Sequence, residues 1–250
     1  NGQQRVVSFS LYGTNELLQK GLDDWSLNLG YTRLNYGQSS FQYDQDMVAN
    51  GTYRYGLTQD LTIESHMELA PELSLLGGGG VQRLGNRAGV LNAAYAYSQY
   101  QNSDGYIYQL GYNWSSRYLN LFYNTLRQSG DFYDIARIHG STFPERSDQF
   151  FLGFNNSLGQ FGASYVYQQY SSSVPNQFLT FNWSYSFANS IYLNISANHD
   201  LNQENTRYFL SLNIPFEKRR TANLSLQQEQ NHEKLSLNAR QSIPRDTGGW

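Results

Sequence analysis

Apolar and polar side chains alternate along most of this chain, in segments of about ten residues. Residues 51–69, GTYRYGLTQDLTIESHMEL, contain two such segments joined by a turn around residues 56–60. After the turn, one row holds Leu61, Ile63, Ser65, Met67 and Leu69, and the other holds Thr62, Glu64, His66 and Glu68. A period of two is typical of a β-strand, because successive side chains point to opposite faces. A strand of this kind needs an apolar medium on one face and water on the other.

The alternation returns often enough to account for about fourteen strands. In residues 179–187, the clearest segment, Asn182 is one of the polar residues that alternate with Leu179, Phe181, Trp183, Tyr185 and Phe187. The next segment places Asn194 and Asn198 on its polar row. About ten residues is the length that a tilted strand needs to cross a bilayer. The pattern therefore predicts an all-β fold, an antiparallel transmembrane β-barrel segment.

The composition supports this interpretation and excludes several kinds of protein. Charged residues make up 15% of the chain, against roughly 25% in ordinary soluble domains, and there are 21 tyrosines. The net charge of −3 gives no basic surface for nucleic acid. The absence of cysteine excludes disulfides and thiolate metal sites. No apolar run is long enough for a transmembrane helix.

The connections between the predicted strands are expected to alternate in length. Longer ones are predicted at residues 36–50, 70–74, 101–105, 129–147, 171–177 and 202–206. Tight ones are predicted at residues 56–60, 84–89, 115–117, 158–160, 188–190 and 217–220. Outer-membrane barrels have this asymmetry, with short periplasmic turns and longer outside loops. The 129–147 connection is apolar enough that we expect it to fold over the barrel mouth or pack on its rim.

Three polar residues invite a chemical interpretation. Glu64, His66 and Glu68 lie in one row, where they could form a metal or acid–base cluster. Alternate residues of a strand are about 7 Å apart, so a third ligand normally comes from a neighbouring strand. The hydrated wall of a channel explains the same row without any reaction, and it is the interpretation we favour.

Other motifs do not indicate an enzyme. A membrane-barrel lipase would need a serine beside a histidine, but nothing distinguishes Ser196 or Ser211 from other strand serines. The four glycines 77–80 lack the lysine and helix of a phosphate-binding loop, so we expect a bend or the close approach of another backbone. Residues 217–220, EKRR, are expected to form a solvated basic turn. We therefore predict no catalytic residue, no metal ligand and no cofactor.

Several motifs together resemble the outer-membrane ushers of chaperone–usher pilus systems, in the part that follows the plug domain. They lie in FSLYGTNELLQKGLDDWSLNLGYTRLNYG, NGTYRYGLTQDLTIESHMEL and SLLGGGGVQRLGNRAGVLNAAYAYS. The matching positions are Leu17-Leu18, Gly21-Leu22, Gly30, Arg33, Tyr36-Gly37, Tyr55-Gly56-Leu57-Thr58, Leu61-Thr62 and Leu84-Gly85, with LNIPF at 212–216 and the RDTGGW ending. Gln19-Lys20 departs from the arginine that ushers often have there. The composition and short loops are most similar to ushers of the archaic subtype.

The resemblance implies a larger barrel, of which this chain supplies about fourteen strands. Residues 1–24 would be the connection after the plug domain, and residues 25–250 the barrel strands. The implied function is secretion and assembly of pilus subunits across the outer membrane of a Gram-negative bacterium. The implied partners are periplasmic chaperone–subunit complexes, the plug and periplasmic domains of the same usher, and outer-membrane lipid, with no nucleic acid.

Two other interpretations stay open at this point. A passive outer-membrane porin has the same strands, and a soluble β-sandwich binding module has a similar alternation. For a channel, the hypothesis is that the polar rows line the pore, through Thr62, Glu64, His66, Glu68, Asn182, Asn194 and Asn198.

Overall fold

The computed structural model describes residues 16–34, 41–171, 173–187, 190–216, 220–229 and 232–241. Several predicted features lie outside the described residues: most of the 1–24 connection, Tyr36-Gly37, most of the basic turn at 217–220, and the 242–250 ending. Among the residues described, no helix is long and apolar enough to cross a membrane.

Fourteen strands and one short helix make up the described structure. The strands are β1 (Asp23–Arg33), β2 (Tyr43–Gly56), β3 (Leu61–Ala70), β4 (Leu73–Arg83), β5 (Val90–Tyr100), β6 (Ser103–Ser115), β7 (Leu119–Gly130), β8 (Arg146–Asn156), β9 (Gly159–Gln169), β10 (Asn176–Ser186), β11 (Tyr192–Asp200), β12 (Asn205–Phe216), β13 (Arg220–Glu229) and β14 (His232–Gln241). The helix, α1 (Ile135–Ile138), lies between β7 and β8. Each strand pairs with the next along the chain, from β1 to β14. The predicted all-β fold of about fourteen antiparallel strands is confirmed.

The predicted sorting of the connections by length is only partly right. The looser connections predicted at residues 70–74 and 101–105 are instead turns of two residues, at 71–72 and 101–102. Residues 84–89, expected to be tight, are the six that separate β4 from β5. The two short turns are possible because Glu72 and Gln101 adopt positive φ angles, 61° and 54°. Tight hairpin turns need that conformation, which glycine and asparagine adopt most readily, yet here Glu72 and Gln101 adopt it.

The chain divides into two compact units. The first contains β1 to β6, most of β7 and the connection 131–145. The second contains most of β8 and β9 and all of β10 to β14.

In the first unit, β3 exposes its apolar row and buries most of its polar row. On β3, Ile63 is 41% and Leu69 50% exposed, whereas Thr62, His66 and Glu68 are at most 5% exposed. In the second unit Leu179 and Phe181 are about half exposed, while Ser184 is buried. Soluble domains have the opposite pattern, because burial of apolar surface drives their folding. The exposed apolar row suits strands whose outer face contacts lipid.

Candidate functional site

The polar row of β3 (Thr62, Glu64, His66 and Glu68) lies beside the glycines of β4 on the same face of the sheet. Glu64 pairs with Gly79 and His66 with Gly77 in the antiparallel register. A Cβ added to Gly79 would lie 2.6 Å from the carbonyl oxygen of Ala93 on β5. The close approach of another backbone, which the sequence predicted for the glycines 77–80, is therefore confirmed at Gly79. The lack of side chains there leaves room for the longer side chains of β3.

Residues 16–22 cover the end of the polar row that contains Thr62 and Glu64. The backbone N–H of Leu18 donates to the Thr62 hydroxyl at 2.8 Å. The Arg54 guanidinium donates to the Glu16 carbonyl at 2.7 Å and lies 3.4 Å from the Glu64 carboxylate. Two further backbone hydrogen bonds join this segment to Gly56. Thr62 and Glu64 are thus held in a network with the chain that precedes β1.

The other end of the row is covered by residues 131–139, here named the docked segment. Phe132 is 1% exposed and packs with Leu75, Ala96 and Ile107, which lie on β4, β5 and β6. The Tyr133 N–H donates to the Ser98 hydroxyl at 2.8 Å. A Cβ added to Gly105 would collide with the backbone at Asp131 and Phe132. The 129–147 connection was expected to cover the barrel mouth or pack on its rim, and its docked segment packs on the strands themselves.

Glu68 joins the docked segment to β3. One of its carboxylate oxygens, Oε2, accepts a hydrogen bond from the Ile135 N–H at 2.7 Å. The other, Oε1, lies 2.9 Å from Nε2 of His66. The side chains of His66 and Glu68 are both buried, so these two hydrogen bonds of Glu68 are shielded from water. A carboxylate held in this way is stabilised by charge-assisted hydrogen bonds.

Asp134 begins helix α1 and is also buried. Its carboxylate accepts a hydrogen bond from the Arg137 N–H at 2.7 Å, as an N-cap residue does. Burial raises the pKa of Asp134 from 3.8 to about 6, and the nearby charge of Glu68 adds to the increase, while the N–H of Arg137 opposes it. Docking therefore brings two carboxyl groups together in a buried place, which favours binding of a proton.

The structure brings only part of the predicted pore-lining set together. His66 contacts Glu68 directly, whereas Glu64 pairs with Arg54 instead. Asn182, Asn194 and Asn198 belong to the second unit, where Asn198 donates to the Thr180 hydroxyl at 2.7 Å. Within the described ranges, no group of three His, Cys, Asp or Glu residues is arranged to hold a metal ion. The pore-lining role of all seven residues stays a prediction.

The sequence interpretation did not single out three residues that hold the docked segment in place: Phe132, Asp134 and Ser98. The apolar character of Phe132 and Ile135 in a long connection was a signal that this connection packs against something. The Asp134 residue just before Ile135 was a signal for the start of a helix. Neither signal indicates which strands the segment packs against.

The strand arrangement has counterparts among solved structures. The chain is similar to the translocation pore of the P pilus usher PapC, with a TM-score of 0.63 and 17% sequence identity. That match covers 87% of this chain and 47% of the usher chain, so this chain spans about half the length of the usher pore. A lower similarity, with a TM-score of 0.41 and 9% identity, relates 86% of this chain to 98% of a triple mutant of the Rhodopseudomonas blastica porin. No model of a protein family matches the chain, and neither does a curated protein.

The similarity to the usher pore shows the fold. The fourteen antiparallel strands of this chain have the arrangement of a transmembrane β-barrel. The exposed apolar rows and buried polar rows agree with that fold, because a barrel strand in a membrane faces lipid on one side only.

Proposed function

We propose that this chain forms part of an outer-membrane usher, a channel that secretes and assembles pilus subunits delivered by a periplasmic chaperone. The observation that carries the proposal is the similarity of its strands to the PapC pore over 87% of the chain. The usher-like motifs at residues 17–22, 55–62 and 84–85 support it independently. The archaic subtype and the position after a plug domain are further parts of this proposal.

The polar rows fit the interior of such a channel. Thr62, Glu64, His66, Glu68, Asn182, Asn194 and Asn198 would line the pore, with their apolar neighbours toward outer-membrane lipid. Asparagine and threonine hold water without a strong charge, so a folded protein subunit can pass without binding tightly. No catalysis and no cofactor are required, because exchange of strands between subunits supplies the driving force.

Deletion of the gene in its native host tests this function. An usher is expected to be required for surface pili, and its loss should leave chaperone–subunit complexes in the periplasm. Electron microscopy of the cell surface and immunoblots of the periplasm measure the two effects. A deletion strain that keeps normal pili, but takes up small solutes more slowly, would instead support a passive porin.

A further inference from the structure

A second polar cluster lies on the opposite side of β7 and β8 from the docked segment. Thr125 and Arg127 are near the end of β7, and Arg146 and Asp148 are at the start of β8. Leu126 packs against the apolar cluster around Phe132, so the residues on either side of it point to the opposite face of the sheet. The cluster therefore shares its face with the exposed aromatic residue Tyr123.

Two arginines are arranged around one carboxylate in this cluster. Asp148 lies 2.8 Å from Nη2 of Arg127 and 2.8 Å from Nε of Arg146. The Thr125 hydroxyl donates to Asp148 at 2.7 Å and accepts from Arg127 Nη1 at 2.7 Å. The side chain of Arg146 is 51% exposed and that of Arg127 28%. Arg127 Nη1 also donates to the carbonyl of Leu126 at 2.9 Å, and the formal charges of the two arginines and Asp148 sum to +1.

Their position indicates the depth of the cluster in a membrane. An arginine on the lipid face of a barrel is costly at the midplane and tolerated near the headgroups. The cluster lies next to the 131–145 connection, the longest between two of the fourteen strands. Longer connections of outer-membrane barrels face the cell exterior. The cluster is therefore placed at the level of the outer leaflet.

We propose that Arg127 and Arg146 bind a phosphate group of the phosphorylated glycolipid, lipid A, that forms the outer leaflet. The proposal rests on the outer-membrane location given under the proposed function. A guanidinium group has five N–H donors and keeps its positive charge at every physiological pH, and it is preferred over lysine for binding phosphate. Asp148 and Thr125 hold the arginines in place, which lowers the cost of ordering them on binding. Burial at the headgroup level strengthens the charge interaction relative to water.

Lipid retention by the purified protein tests the site. The full-length protein that contains this chain is purified from outer membranes in a mild detergent, and the bound lipid A is counted by native mass spectrometry. The double variant R127Q/R146Q is expected to retain at least about fivefold less lipid A than the unchanged protein, because each guanidinium supplies charge-assisted hydrogen bonds. Equal retention would overturn the proposal.

Arg83→Gln is the matched control. Arg83 also pairs with a carboxylate, Asp60 at 2.6 Å, but at the opposite ends of the strands. It should leave lipid A retention unchanged, and a loss as large as in the double variant would contradict the site. Phosphatidylglycerol added in excess should not displace lipid A; complete displacement would overturn the assignment to this glycolipid. If the double variant fails to fold, R146Q alone carries the test, with an expected loss of about twofold or more.

Membrane fractionation separates this proposal from the proposed function. A protein found outside the outer membrane would contradict the location on which both depend. A protein in the outer membrane with unchanged retention in R127Q/R146Q would overturn the lipid site alone.

Discussion

Glu68 on β3 accepts a hydrogen bond at 2.7 Å from the backbone N–H of Ile135, which lies 67 residues later in the chain. This contact fixes the docked segment onto the polar row of β3. Phe132 and the Tyr133 N–H hold the same segment onto β4, β5 and β6. The docked segment is therefore held at several independent points.

Docking of the segment is expected to weaken as the pH rises from about 4 to about 6. The pKa of Asp134 is about 6 when docked, against an ordinary value of 3.8, so the docked state binds a proton more tightly than the released state. The stabilisation by proton uptake is full below the ordinary pKa and is lost as the pH rises through 6. A shift of about two pKa units corresponds to about 3 kcal/mol. Hydrogen exchange at the amides of Tyr133 and Ile135, corrected for intrinsic rates, measures the effect.

Asp134→Asn should remove most of that pH dependence, because asparagine caps a helix without ionising. Asp131→Asn is its control, since Asp131 is exposed on the same segment. The groups that face Asp134 are Glu68 from β3 and Arg137 from its own helix. A pH dependence that persists unchanged in Asp134→Asn would show that another group carries it.

Phe132→Ala should release the docked segment while the strands stay paired. Phe132 is 1% exposed, and removal of a buried phenylalanine costs roughly 3–5 kcal/mol. Limited proteolysis within residues 131–145 should become faster, with little change in the heat-modifiable gel mobility of the barrel. Phe150→Ala, at an exposed position on the other face, is the control. Equal proteolysis of the two variants would contradict the packing role of Phe132.

Gly105→Ala is expected to displace the same segment by a different route. The added methyl group would occupy the place of the backbone at Asp131 and Phe132. At Gly78 the nearest atom to an added methyl is at 3.7 Å, an ordinary contact, so Gly78→Ala should be well tolerated. The comparison is made by hydrogen exchange at Ile135, and faster exchange only in Gly105→Ala is the expected result. Slow exchange in both variants would show that the segment can shift while it stays docked on β4, β5 and β6.

Cysteine labelling in intact outer membranes tests the assignment of the two faces. Cysteine at position 194 or 64 should react with a water-soluble thiol reagent, and cysteine at 193 or 63 should not. Position 64 should react more slowly than 194, because the Glu64 side chain is only 12% exposed beside Arg54. The reverse pattern, with 63 and 193 reactive, would overturn the proposal that the polar rows face the pore.

The strands and their faces could be predicted because alternation is a local property of the sequence. Ile63 and Glu64 are neighbours, and their opposite directions follow from strand geometry alone. The two-residue length of the turns at 71–72 and 101–102 could not be predicted in the same way. Their positive φ angles are held by Glu72 and Gln101, residue types that rarely adopt them, so the cause is the pairing of the flanking strands.

The contacts of the candidate site were predictable only in part. The polar row of β3 was evident, and so was the apolar character of the 129–147 connection. The contact between the row and the connection was not predictable, because Glu68 and Ile135 are far apart in sequence and no local pattern relates them. The pairing of Glu64 with Arg54 also depends on the β2–β3 register, in which the two residues are directly opposite.

The long sequence separation between Glu68 and Ile135 also bears on the order of folding. Phe132 has no complete binding surface until β4, β5 and β6 are paired, since each strand supplies one wall of its pocket. Contacts between distant residues form late, because the loop between them must first close. Attachment of the segment is therefore expected as a late step of assembly, after the six strands from β1 to β6 have come together. Until then, Oε2 of Glu68 lacks its hydrogen bond from the Ile135 N–H and is left to water.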